Sequence, residues 1–164
     1  MTAVSDEDDP QVEVFGCLPS EPQCLELLTR LDAYLTGLYP PEQNHILSVS
    51  QLLAPGVSFV AAHHGGAVVG CGALVRRGRA YAEIKRMFVE PEVRGKRIGR
   101  RILAHLERLA ALDGFTVLRL ETGIRQPEAL ALYERAGYRH TGPFGEYCSN
   151  ETSVFMEKPI PPQP

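Results

Sequence analysis

The chain has 164 residues, 44% of them hydrophobic, with a formal net charge of −3. That length fits one domain with a proper core, and the acidic balance argues against general nucleic-acid binding, which goes with a strongly basic domain. No apolar run approaches the roughly 18 residues of a membrane span, the acidic start lacks the apolar stretch of a secretory leader, and the four cysteines (Cys17, Cys24, Cys71, Cys148) show neither CxxC spacing nor paired histidines, so a metal site or disulfide framework is not expected and a cytoplasmic setting is the default.

Residues 1–10 read as a disordered acidic arm, with Asp6, Glu7, Asp8 and Asp9 in series. Residues 11–159 are expected to form a single domain and 160–164 a Pro-rich tail. Gln11 to Phe15 alternates like a strand. Glu21 to Leu38 is helical, with Leu25, Leu28, Leu31 and Leu35 at helical spacing, and Tyr39-Pro40-Pro41 stops it. A second short helix is expected within His45 to Gln51. Val57 to Ala62 is β-rich, Gly65-Gly66 is a hairpin signal, and Ala67 to Val75 returns. A basic turn, Arg76-Arg77-Gly78-Arg79, leads to Tyr81 through Val89, completing an antiparallel three-strand meander. Ile98, Ile102, Leu106 and Leu109 give the next helix its buried stripe, and Asp113-Gly114 ends it. Phe115 to Glu121 is a strand, parallel to the Tyr81 strand because a helix connects them. Pro127 opens a last helix, Gly137 closes it, and Tyr138 to Thr141 and Ser153 to Glu157 are short final strands. The class is α/β (α+β): a mixed sheet flanked by helices.

Arg94-Gly95-Lys96-Arg97-Ile98-Gly99-Arg100-Arg101 spans the start of the Ile98 helix. Lys96, Arg97, Arg100 and Arg101 crowd a helix N-terminus, where they oppose the partial positive charge already there unless an anion neutralises both. The first turn also offers N–H groups with no partner inside the helix, and glycines permit close approach. The stretch reads as a cradle for a phosphate group or, on local sequence alone, as an ordinary basic turn with two convenient glycines.

These residues resemble the GCN5-related N-acetyltransferase (GNAT) superfamily. Its acetyl-CoA signature, Gln/Arg-x-x-Gly-x-Gly/Ala after a strand, is similar to Arg94-Gly95-Lys96-Arg97-Ile98-Gly99, with Arg97 in place of the middle glycine. A second motif, Asn-x-x-Ala-x-x-Leu-Tyr-x-x-x-Gly, resembles Gln126 to Gly137, where Ala129, Leu132, Tyr133 and Gly137 fit and Gln126 replaces the asparagine. The resemblance implies acetyl-CoA as cosubstrate and no metal. Met87, Phe88 and Val89 would hold the pantetheine arm as an added strand. Backbone amides of Arg94, Gly95, Lys96, Arg97, Ile98, Gly99 and Arg100 would hold the pyrophosphate, with Gln126 nearby. The reaction implied is acetyl transfer to a primary amine by direct attack in a ternary complex. The alternatives are a non-catalytic acyl-CoA sensor and an acyltransferase using a longer acyl-CoA.

Such a transfer needs a proton sink for the amine and a proton for the departing thiolate. The resemblance places Tyr133 in the role of acid and Glu83 in that of base, with a water chain as the alternative to Glu83. Glu121, His45 and Tyr39 are further candidates for contact with the acceptor. The expected partner is a small-molecule or protein amine, with no nucleic acid and no membrane; a homodimer is possible.

Overall fold

A computed structural model describes residues 12–161. The acidic arm lies outside them. The strands are β1 (Val12–Gly16), β2 (Val57–His64), β3 (Ala67–Arg77), β4 (Tyr81–Val89), β5 (Val117–Gly123), β6 (Arg139–Thr141) and β7 (Ser153–Pro159). The helices are α1 (Pro22–Leu38), α2 (Val49–Leu52), α3 (Ile98–Leu112) and α4 (Pro127–Arg135). One sheet runs β1-β2-β3-β4-β5-β7-β6. Among the described residues only the β4–β5 pair is parallel, as a helical crossover through α3 requires.

The sheet has a helical layer on each face, and alternation along β2 shows how the sequence builds both. Val60 and Ala62 join the core under α3, with Ile98, Ile102, Leu103 and Leu106. Phe59 and Ala61 join the core under α1, with Leu27, Leu28 and Leu31. A strand covered on both sides must be apolar at every position, which is why residues 59–62 read as a continuous apolar run. Gly65 and Gly66 both have positive φ, 57° and 80°, as a two-residue hairpin turn demands.

Three expectations shift. The buried stripe of α1 is carried by Leu27 rather than Leu25, which is 39% exposed. The short second helix starts at Val49 rather than His45, because Ser48 and Gln51 form a reciprocal capping box that fixes its start. Ile160 is no part of a tail: it is buried, and its N–H donates to the Thr116 carbonyl.

Candidate active site

The site originates in a defect of β4. Gly70 and Cys71 pair with Val89 and Phe88, whereas Ala73 pairs with Lys85, so the ladder carries one extra residue on β4 between them. Arg86 takes it up with φ of 59°, in the left-handed region. The β4–β5 ladder pairs only Ala82, Ile84 and the residue between them with Leu118 to Leu120. Beyond that point the two parallel strands separate, and the sheet opens a cleft at their C-terminal ends, where ligands of open α/β sheets bind.

A long cleft of about 820 Å³ runs from this opening past the start of α3. Met87, Phe88 and Val89 form one wall, and Arg94, Gly95, Arg97, Ile98, Gly99 and Arg100 line its far end. Arg97 is the N-cap of α3 and its side chain does not cap the helix, and the first turn contains no acidic residue. The first N–H groups of a fifteen-residue helix therefore face the cleft among arginines, an arrangement suited to a phosphate. Lys96 is exposed and does not line the cleft.

A second, smaller cavity of about 110 Å³ lies on the other side of the opening, lined by α1, the 43–46 segment and the ends of β4 and β5. Met87, Gln126, Ala129 and Tyr133 line both spaces and so mark their junction. Tyr133 is 5% exposed, and its ring stacks edge-on against Tyr138. Among the described residues its hydroxyl has no hydrogen-bond partner. Burial raises its pKa, so the phenol stays neutral.

In the small cavity His45 Nδ1 lies 2.6 Å from the Glu121 carboxylate, which also accepts from the Ser153 hydroxyl at 2.8 Å. Lys85 Nζ donates to the His45 carbonyl and to the Tyr147 hydroxyl, both at 2.8 Å. Burial lowers the Lys85 pKa, with Glu83 and Glu121 opposing that shift. Arg86 donates through Nη1 to Asp32.

The family model described as "Acetyltransferase (GNAT) family" matches residues 24–138. The chain is similar to an IAA acetyltransferase of Azospirillum brasilense, 43% identical over 92% of this chain and 99% of that one. It also resembles a solved acyl-CoA N-acyltransferase structure from Klebsiella pneumoniae, with TM-score 0.78 and 35% identity over 90% and 97% of the two chains. A Thermoplasma acidophilum N-acetyltransferase crystallised with coenzyme A shares the fold, with TM-score 0.72 and 19% identity over 91% and 99%.

The chain belongs to the GNAT acetyltransferase family.

Within that family frame, individual residues take their places. Arg97 stands where the signature has glycine, and its φ of 60° and ψ of 22° explain that preference: a left-handed N-cap costs any residue with a Cβ about 1–2 kcal/mol. Gly99 has another reason. A Cβ there would lie 3.2 Å from Leu132 Cδ2, so it lets α4 close on α3. Gln126 is held by the Tyr39 hydroxyl, which donates to its Oε1 at 3.2 Å. Tyr39 packs so tightly on Gly123 that a Cβ there would sit 1.8 Å from its oxygen.

Glu83, the expected base, sits apart from both spaces. It is 1% exposed and lines neither space. Arg77 Nε donates to Oε1 at 3.0 Å and the Tyr147 hydroxyl donates to Oε2 at 2.5 Å. The reason lies in the 142–151 segment, which carries Tyr147 over that face of β4. The carboxylate that does reach the cavity is Glu121, signalled in the sequence only by its position at the end of β5. Lys85 and Arg86 carry no motif, and only the bulge explains their joint place on the cavity wall.

Proposed function

We propose that the protein transfers the acetyl group of acetyl-CoA to the primary amine of a small acceptor, by direct attack in a ternary complex. The cosubstrate occupies the long cleft, with its pyrophosphate at the α3 N-terminus and its pantetheine along Met87 to Val89. The acceptor enters the small cavity from the opposite side. The observation that carries this reading is Tyr133, whose unpartnered hydroxyl sits where the two spaces meet.

The chemistry follows from proton balance. An amine of pKa near 10.4 must lose a proton before it attacks, at a cost of about 4–5 kcal/mol at neutral pH. Glu121 and His45 line the cavity and supply the proton acceptor. Tyr133 supports the other end. Its raised pKa makes complete transfer to a thiolate of pKa about 8.5 uphill before attack, so it acts by donating a hydrogen bond to sulfur as charge develops. Glu83 stands behind this pair as a positioning residue, holding Tyr147 against Lys85.

Calorimetry with acetyl-CoA and a thiol-release assay across a panel of amines test the proposal. Tyr133→Phe should lower kcat by about 10²–10³-fold and leave the acetyl-CoA dissociation constant within about twofold. Undetectable acetyl-CoA binding rejects the whole reading; an unchanged kcat removes Tyr133 alone.

A further inference from the structure

The small cavity carries more charge than an amine needs. One side presents Glu121 of β5 with the His45 ring of the 43–46 segment, and the β4 side presents Lys85 and Arg86 in consecutive positions. Successive residues of a regular strand face opposite ways, so the bulge at Arg86 is what brings both cations to one wall. Both are deeply buried, with side chains 7% and 4% exposed. Lys85 is engaged by the His45 carbonyl and the Tyr147 hydroxyl, with Glu83 3.8 Å away. Arg86 is not fully engaged. One terminal nitrogen binds Asp32, which is itself half exposed, while Nε is buried with no hydrogen-bond partner.

A buried donor left unmatched costs about 1–3 kcal/mol, and more when it is charged. Native proteins satisfy nearly all such groups, so this orphan, on a side chain that lines a binding cavity, points to an acceptor atom brought by the ligand as the guanidinium turns toward it. The guanidinium fork matches an oxyanion better than any neutral acceptor. The opposite wall already offers a carboxylate to the ammonium form of an amine.

Resting on the acetyltransferase reading above, we infer that the acceptor is zwitterionic: a small amine that also bears an oxyanion, carboxylate or phosphonate, bound by Arg86 on the β4 wall while its nitrogen faces Glu121 of β5 and the His45 ring of the 43–46 segment. Arg86 then selects the substrate and takes no part in proton transfer. Asp32 competes with the substrate for the same guanidinium.

Matched acceptor pairs test this in the thiol-release assay with the full-length protein and acetyl-CoA. One pair is an L-amino acid and its amide; the other is 2-aminoethylphosphonate and ethylamine. The anionic member should have the higher kcat/KM, by about 10–10²-fold, and the better of the two anions identifies the oxyanion. Arg86→Gln should erase that preference by raising KM for the anionic member, with kcat little changed. Asp32→Asn, at a half-exposed position that tolerates change, should act in the opposite direction and lower KM for the anionic member only. Equal use of both members, preference for the neutral one, or no use of either while calorimetry still shows acetyl-CoA binding, overturns the inference and leaves the transfer reading standing. Loss of acetyl-CoA binding in the native protein overturns both.

Discussion

Two glutamates on neighbouring strands divide the work at the residue scale, and substitution separates them. Glu83 is buried against Arg77 and Tyr147, with Lys85 close by, so Glu83→Gln leaves a buried ammonium without its nearest carboxylate. Removing one partner of a buried pair costs about 3–5 kcal/mol, and the low end applies here because Arg77 is 40% exposed and can be hydrated. The expected result is a clear fall in melting temperature, with modest loss of turnover per folded molecule. Glu121 keeps its oxygens toward the cavity and the His45 ring. Glu121→Gln should leave stability nearly intact, because a neutral amide can still accept from Ser153, and lower kcat/KM by about 10²-fold or more. Parallel thermal melts and initial rates decide the matter; a reversed pattern, with Glu83→Gln stable and inactive, returns the base to Glu83. The sequence makes Glu83 the choice because Ala82-Glu83-Ile84 resembles the family segment that carries a glutamate base, on the strand that leads to the cradle. What hid its burial was a loop more than 60 residues away in sequence, whose Tyr147 covers it.

At the element scale, the bulge in β4 depends on glycine opposite it. A Cβ on Gly72 would lie 2.8 Å from Met87 Sδ, 2.9 Å from Ile102 Cγ2 and 3.0 Å from Leu106 Cδ1. One on Gly70 would meet Ile102 Cδ1 at 2.9 Å and the Phe88 carbonyl at 3.0 Å. These two positions let α3 lie directly on β3, which sets where the α3 N-terminus stands relative to Met87–Val89. Gly72→Ala should cost about 1–3 kcal/mol by overpacking, roughly 2–4 °C of melting temperature per kcal/mol for a chain of this size. It should also weaken acetyl-CoA binding, because Met87 lines both spaces and must shift. Unchanged melting and unchanged affinity in calorimetry would remove this role from Gly72. Strands and helices were legible in the sequence because their periodicities are local: the 3.6-residue stripe of α3 and the glycine pair at 65–66 announce themselves. The bulge was not, since it is a mismatch between two strands and leaves no mark on either alone. The insertion of β7 between β5 and β6 escaped for the same reason, as a property of pairing.

For the whole molecule, the same burial that shapes the site sets how it responds to alkali. Tyr133, Tyr138 and Tyr147 all have raised pKa values, for which burial is the leading cause, joined by Glu107 at Tyr138 and by Glu83 at Tyr147. Each phenol keeps its proton longer in the folded protein than in the unfolded chain, where ionisation occurs near 10.0. Their stabilising contribution is therefore complete below about pH 10 and is lost as pH rises beyond it, by up to about 1.4 kcal/mol per pH unit for each tyrosine. Lys85 has the opposite sign. Its lowered pKa means that the unfolded chain binds the extra proton, so stability gains as pH rises toward its ordinary 10.5 and gains nothing above. The two effects overlap only near pH 10, and above that the tyrosines govern. Urea midpoints measured from about pH 8 to about pH 11.5 should fall steeply at the alkaline end. Combining Tyr133→Phe with Tyr138→Phe should make that fall shallower, because two of the ionising groups are gone, whatever the variant's stability at neutral pH. An identical slope in the double variant would show that these phenols ionise no later in the fold than outside it. A Tyr133 that gave up its proton so readily would also bring an alkaline fall in turnover near pH 10, which the buried phenol of this structure should not produce.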